Sequence, residues 1–367
     1  MFVLGSASHA QGFDRAREGL PVKSQDRVSY TMTVRLDAKA RRLVGQQKIR
    51  YRNDTQGKTQ ELRFHLYLNA FRNTRSTLMR ESREEFRKGY ADPGEFGEIR
   101  FTQLQLEVED GKPVDLLPGL KFVAPDDGNE DDRTVAMVPL PGPFAPGTEV
   151  VLDTRFEVAI PKAYRRTGWG PGNFFMMAQW FPKLGVLEDA ESGLSTWNCH
   201  QFHASTEFFA DFGSYDVRIE VPVGFVVGAT GKQIENGPAG DDLRFYRFVQ
   251  KDVHDFAWVT DPDYRMFVEE AYQPVLDARV SSILQEVLGY RMGELALTPV
   301  RIIYLLHPEH DRKYVRERWK KSVHVALDFF GSRFGRYPYE TLTVVDPSRD
   351  GKGRGLGGGM EYPTLIT

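Results

Sequence analysis

Between residues 28 and 36, apolar side chains fall on every second position. Val28, Tyr30, Met32, Val34 and Leu36 alternate with Ser29, Thr31, Thr33 and Arg35. Successive side chains of an extended chain point to opposite faces, so this spacing predicts a strand with one face buried. Leu62, Phe64, Leu66 and Leu68 alternate with Arg63, His65 and Tyr67 in the same way, and Tyr215, Val217, Ile219 and Val221 alternate with Asp216, Arg218 and Glu220. The runs are separated by turn-forming clusters such as Ala124-Pro125-Asp126-Asp127-Gly128-Asn129 and Asn236-Gly237-Pro238-Ala239-Gly240. Half-buried strands punctuated by Gly, Pro and Asp predict an antiparallel β-sandwich or open barrel over about residues 21–268.

The pattern changes after residue 268. Ala278 to Leu288 reads as helix and Arg301 to Leu306 as a buried strand. Val315, Trp319, Val323, Ala326, Leu327, Phe330 and Phe334 then recur at steps of three and four, the apolar stripe of an amphipathic helix. Asp311 is its expected N-cap and Gly335 its stop, with Arg312, Arg316 and Lys320 on a solvated face. A strand over Thr341 to Val345 follows, then a glycine-rich loop and a strand-like end, Glu361 to Thr367. The chain is therefore read as mostly β followed by α/β, with a mixed domain over 269–367 that is incomplete.

Charge excludes one class of partner. Across 367 residues, 48 Lys and Arg nearly cancel 51 Asp and Glu, leaving −3, so no nucleic-acid partner is expected. No run approaches the roughly 20 apolar residues of a membrane-spanning helix. Cys199 is the single cysteine, which excludes an internal disulfide and a four-thiolate metal site. Residues 1–20 read as a leader or signal remnant. Met1-Phe2-Val3-Leu4 followed by small residues is similar to the tail of a secretory signal, which favours an exported or periplasmic protein over a cytoplasmic one. A frayed polar leader is the alternative.

Most local motifs fail on context. Gly353, Gly355 and Gly358 satisfy G-x-G-x-x-G, but a dinucleotide site needs that turn to open a helix, and Pro363 and β-branched residues follow instead. Neither H-E-x-x-H nor G-x-S-x-G occurs, and His307-Pro308-Glu309-His310 has the wrong spacing for a helical metal pair. Cys199, His200 and His203, with Glu207 beyond, form the best local ligand set; ordinary loop hydrogen bonding is the simpler account.

Gly358-Gly359-Met360-Glu361 resembles the G-x-M-E-N motif of the aminopeptidase N family of gluzincin zinc peptidases. Phe334 to Tyr339 with Val344 to Pro347, Phe64 to Phe71, Gln179 to Lys183, Phe212 to Val217 and His254 to Trp258 are also similar to that family, in the family's order. The resemblance implies a β-sandwich followed by the start of a thermolysin-like catalytic domain. It implies zinc for a complete parent enzyme, whose H-E-x-x-H helix would come after the last residue here. No catalytic or metal-ligating residue is therefore assigned to this chain, which is expected to be inactive as it stands. The expected partners are peptides with a free N-terminus. Glu361 would pair with the α-ammonium, Gly358, Gly359 and Met360 would contact the peptide, and Gln179 would line the first side-chain pocket. Tyr362 and Pro363 depart from the family pattern. A metal-free relative acting as a peptide- or protein-binding scaffold is the alternative reading.

Overall fold

The computed structural model describes residues 27–82, 92–108, 111–163, 166–190, 194–205, 208–289, 295–348 and 359–367. The leader, Glu207, Gly358 and most of the glycine-rich loop lie outside them.

The three period-two segments are strands. Val28–Asp37 and Gly213–Pro222 match the alternation closely, and they sit side by side in an eight-stranded sheet. Their pairing is parallel, Tyr30 opposite Tyr215 and Val34 opposite Ile219, an exception in an otherwise antiparallel sheet. Facing it is a four-stranded sheet that contains Thr59–His65 and Val135–Phe144. Tyr30, Val34, Ile49, Phe156, Val217 and Ile219 from the large sheet meet Leu62, Phe64, Val138 and Leu184 from the small one in one buried core. Gly45 sits opposite Phe156 on the neighbouring strand of the large sheet, where a Cβ would come within 2.2 Å of the Phe156 ring.

One strand is shorter than its alternation predicts. Thr59–His65 ends before Leu66, and Tyr67–Phe71 forms a 3₁₀ turn with every residue buried. Asn69 accounts for the break. Its side chain donates to the Arg133 carbonyl in a loop and accepts from Ile99 N near the start of the Glu98–Leu106 strand, so the turn is held by side-chain bonds and not by a sheet ladder.

The mixed sheet begins with the Arg265–Tyr272 strand, which pairs antiparallel with Val300–Leu306. Val300–Leu306, Thr341–Val345 and Leu365–Ile366 run parallel, and Glu361–Tyr362 forms the far edge. Helix α1 spans Ala278–Leu288, capped by Asp277 and closed by Gly289 in the left-handed region. Helix α2 spans Lys313–Phe334 and stops at Gly335, φ 98°. Asp311 is not its N-cap. Arg312 holds that position without a side-chain cap, because Arg316 and Arg265 engage the Asp311 carboxylate. Arg316 and Lys320 also lie over the Phe267 ring, so that face is more than solvated charge. Val315, Val323 and Leu327 are buried as the stripe predicts, but Phe330 and Phe334 are exposed.

Candidate functional site

The exposed end of the α2 stripe forms one wall of an apolar trough of about 880 Å³. Trp319, Leu327, Phe330 and Phe334 line the helix side, Leu342 and Val344 come from the sheet, and Glu361 and Tyr362 lie on the edge strand. Glu361 opens that strand opposite Ile366. The turn beneath it is strongly fixed: Thr364, at φ 60°, accepts from Gly231 N at 2.6 Å through its hydroxyl and from Thr343 N at 2.8 Å through its carbonyl. Met360 and Thr367 close the hairpin, Met360 N donating to Thr367 Oγ1 and Thr367 N to the Met360 carbonyl. The Glu361 side chain is exposed and has no side-chain partner among the described residues. An exposed, unpaired carboxylate on an edge strand beside an apolar trough can accept a cation carried by an extended chain. Gly359 is exposed, with only the Thr367 carbonyl, at 3.7 Å, near the place of a missing Cβ.

Tyr362 is buried and donates to the Arg166 carbonyl. It joins Phe174, Met176 and Ala178 in one apolar cluster, with Met360 packed against it. The segment leading to Gln179 and the edge strand carrying Glu361 are thereby packed together. Their side chains line different cavities. Gln179 lies on a cavity of about 10 Å³ with Tyr67, Phe71, Phe202 and Phe208, away from the trough. Its backbone is left-handed, φ 54°, and its Nε2 donates to buried Asp255. Asp255 in turn pairs with Lys183 at 3.0 Å. Both charges lie inside sequence segments whose apolar residues dominate the reading, so nothing local marks them as partners.

Cys199 points away from His200 and His203, which meet at Asp126. The Cys199 thiol is buried toward His65, 3.6 Å from its Nδ1, and burial raises its pKa strongly. His200 points to Asp126, while His203 bridges Asp126 and Glu81. Burial opposes protonation of His203, but those two carboxylates outweigh it and raise its pKa. Among the described residues, no three His, Cys, Asp or Glu side chains could hold a metal ion together. The described residues therefore do not fit a zinc site.

A second network was invisible to spacing arguments. His307, at the end of the Val300–Leu306 strand, stands 3.3 Å through Nε2 from Asp261 and 3.6 Å through Nδ1 from Asp346. Asp346 also accepts from His307 N and contacts His310 Nδ1 at 2.7 Å. Burial works against a charged His307, yet the two carboxylates raise its pKa to about 9. The same bonds from His307 and His310 overcome burial at Asp346 and lower its pKa. This network ties the Trp258–Asp261 strand to the mixed sheet just before the glycine-rich segment.

No family model matches the chain, and neither does any curated protein sequence. Solved structures do. The chain superposes on an M1 zinc metallopeptidase from Deinococcus radiodurans with TM-score 0.51 at 15% identity, covering 93% of this chain and 58% of that one. It is similar, with the same score and identity, to a point mutant of a two-domain M1 zinc metallopeptidase bound to L-tryptophan, covering 92% and 59%, and to one bound to L-arginine, covering 93% and 59%. The fold is that of the M1 zinc metallopeptidases. The chain spans about 59% of the length of those M1 structures.

Proposed function

We propose that this chain belongs to a zinc-dependent aminopeptidase of the aminopeptidase N type, in which it supplies the anchor for the substrate's free N-terminus. The observation that carries the reading is the exposed Glu361 carboxylate, without a side-chain partner among the described residues, on the edge strand beside an apolar trough, within an M1 fold. A peptide extended along that edge would be held by main-chain hydrogen bonds, with Gly359 leaving room for close approach and Met360 beside it. Gly358 belongs to the same proposed contact. Glu361 would pair with the α-ammonium and fix the chain end, so that the first peptide bond is the one presented for cleavage. Gln179 would contribute to the first side-chain pocket. Zinc in the complete enzyme would act as a Lewis acid on the scissile carbonyl, through ligands not supplied by the described residues. A β domain over about residues 21–268 and the start of a catalytic domain over 269–367 are part of the same proposal, with the strand Arg265–Tyr272 of the mixed sheet straddling that boundary, and export is favoured for the parent.

The test uses the full-length natural protein supplied with zinc and a tetrapeptide in free and N-acetylated forms, with products read by mass spectrometry. Stepwise loss of single N-terminal residues from the free form alone supports the reading. Internal cleavage of both forms, or no cleavage of either with binding retained, would replace it with an endopeptidase or a non-catalytic scaffold.

A further inference from the structure

Residues 199–204 follow the Ser195–Asn198 strand without joining any strand or helix. Side chains from two other segments hold them where a ladder would. Ala204 N donates at 2.9 Å to Glu81 Oε2, at the end of the short helix Thr77–Glu81. Gln201 N donates at 2.7 Å to Asp126 Oδ2, in the turn before the Val135–Phe144 strand. His203 stands between these two carboxylates, with Nδ1 2.8 Å from Glu81 Oε1 and Nε2 3.0 Å from Asp126 Oδ2. A neutral imidazole has one N–H and one lone pair, so it would aim the lone pair at one carboxylate; only the imidazolium donates to both. His200 differs. Its contact, Nδ1 to Asp126 Oδ1 at 2.5 Å, is made equally well by a neutral ring with its proton on Nδ1.

We propose that residues 202–204 are a pH-operated strap, fastened to Glu81 and Asp126 by charged His203 and released when that ring loses its proton. Gln201 is the hinge. Its Nε2 bonds to Thr77 Oγ1 and Asp127 Oδ1, 2.8 Å each, depend on no proton that is lost above pH 6. Phe202 is what the strap holds down: its ring lies 5.4 Å from Tyr67, 6.1 Å from Phe71 and 5.1 Å from Phe208. The same rings line the small cavity beside Gln179, so release uncovers an apolar cluster. The other charges around His203 are Asp127, from the turn that carries Asp126, and His200, from its own loop. Arg80, next to Glu81, is turned to Asp131, 3.1 Å away. Burial disfavours the charged ring, but Glu81 and Asp126 outweigh it and raise its pKa above 6.5. The strap is therefore fastened below pH 6.5 and loosens as pH climbs through the folded value. It stands independently of the peptidase reading.

Native-state proteolysis of the full-length natural protein tests the strap. Thermolysin cuts before large apolar residues, and Phe202, Phe208 and Phe209 place sites within and just beyond it. Cleavage rates at these sites are measured from pH 6 to pH 9. Dividing them by the rates for a synthetic peptide of residues 199–210 removes the protease's own pH dependence. When reclosing is fast, cleavage follows the open population. That population should rise about tenfold for each unit by which the His203 pKa exceeds its unfolded value. In His203→Gln the normalised rate should already be raised at pH 6 and stay flat to pH 9, while His200→Gln should keep the natural protein's rise. A flat normalised rate in the natural protein overturns the proposal and needs no variant to fold. An undiminished rise in folded His203→Gln, or loss of the rise in His200→Gln alone, overturns it equally.

Discussion

The His307 network makes the protein's stability depend on pH in a defined window. A histidine whose folded pKa is raised contributes stability fully below its unfolded value and loses it as pH climbs through the folded value. The window here runs from 6.5 to about 9. That rise corresponds to roughly 3 kcal/mol at 1.36 kcal/mol per pH unit. Screening where the ring edge meets solvent reduces it to about 2 kcal/mol. Asp346 shares the same bonds, so its lowered pKa is the other side of one interaction and is not added again. Urea midpoints measured at intervals from pH 6 to pH 10 should fall across this window. His307→Gln should be less stable at pH 6 by about 3 kcal/mol, since Asp261 keeps a buried charge without its partner, and its stability should lose the 6.5-to-9 slope. An equal slope in the natural protein and the variant would refute the reasoning, because the titrating group would then lie elsewhere.

Two further predictions concern the sandwich. Gly45→Ala forces a methyl group against the fully buried Phe156 ring; overpacking of this kind costs about 1–3 kcal/mol, read as a lower urea midpoint with unchanged slope. His65 is buried, and burial foremost, with Lys183 adding, pushes its pKa down to about 3. The unfolded chain therefore takes up this proton first, and stability should fall as pH drops from 6.5 toward 3. The His65→Gln variant should lack that portion of the acid limb.

Much of the framework was legible because alternation and helical spacing act locally. Ala278–Leu288 and Thr341–Val345 fall on the residues the spacing picks out, and the Val28 strand differs by one residue. Short strands such as Gly168–Trp169, Phe175–Met177 and Lys183–Leu184 escaped notice. Phe175–Met177 and Lys183–Leu184 are buried on both faces, and a buried run of two or three residues carries no period. Asp311 misled for a different reason: a capping residue type is only a candidate until its competitors are known, and Arg316 and Arg265 claim it. Glu361 was legible only through the likeness of a short motif, since a single glutamate after glycines has no pattern of its own. The tie from Gln179 to Asp255 spans 76 positions, and such long-range pairing is set by the sheets and not by the segments that meet.

The most direct test of the proposed role is Glu361→Gln in the full-length, zinc-supplied protein, compared with the natural residue on one peptide in free and N-acetylated forms. The substitution keeps the side chain's size and removes its charge. Charge-assisted contacts are strong enough that kcat/KM on the free peptide should fall about ten- to a few-hundred-fold, while the already poor acetylated peptide changes little. Equal losses on both forms, or none on either, with the variant folded and its zinc content unchanged, would contradict Glu361 as the amine anchor.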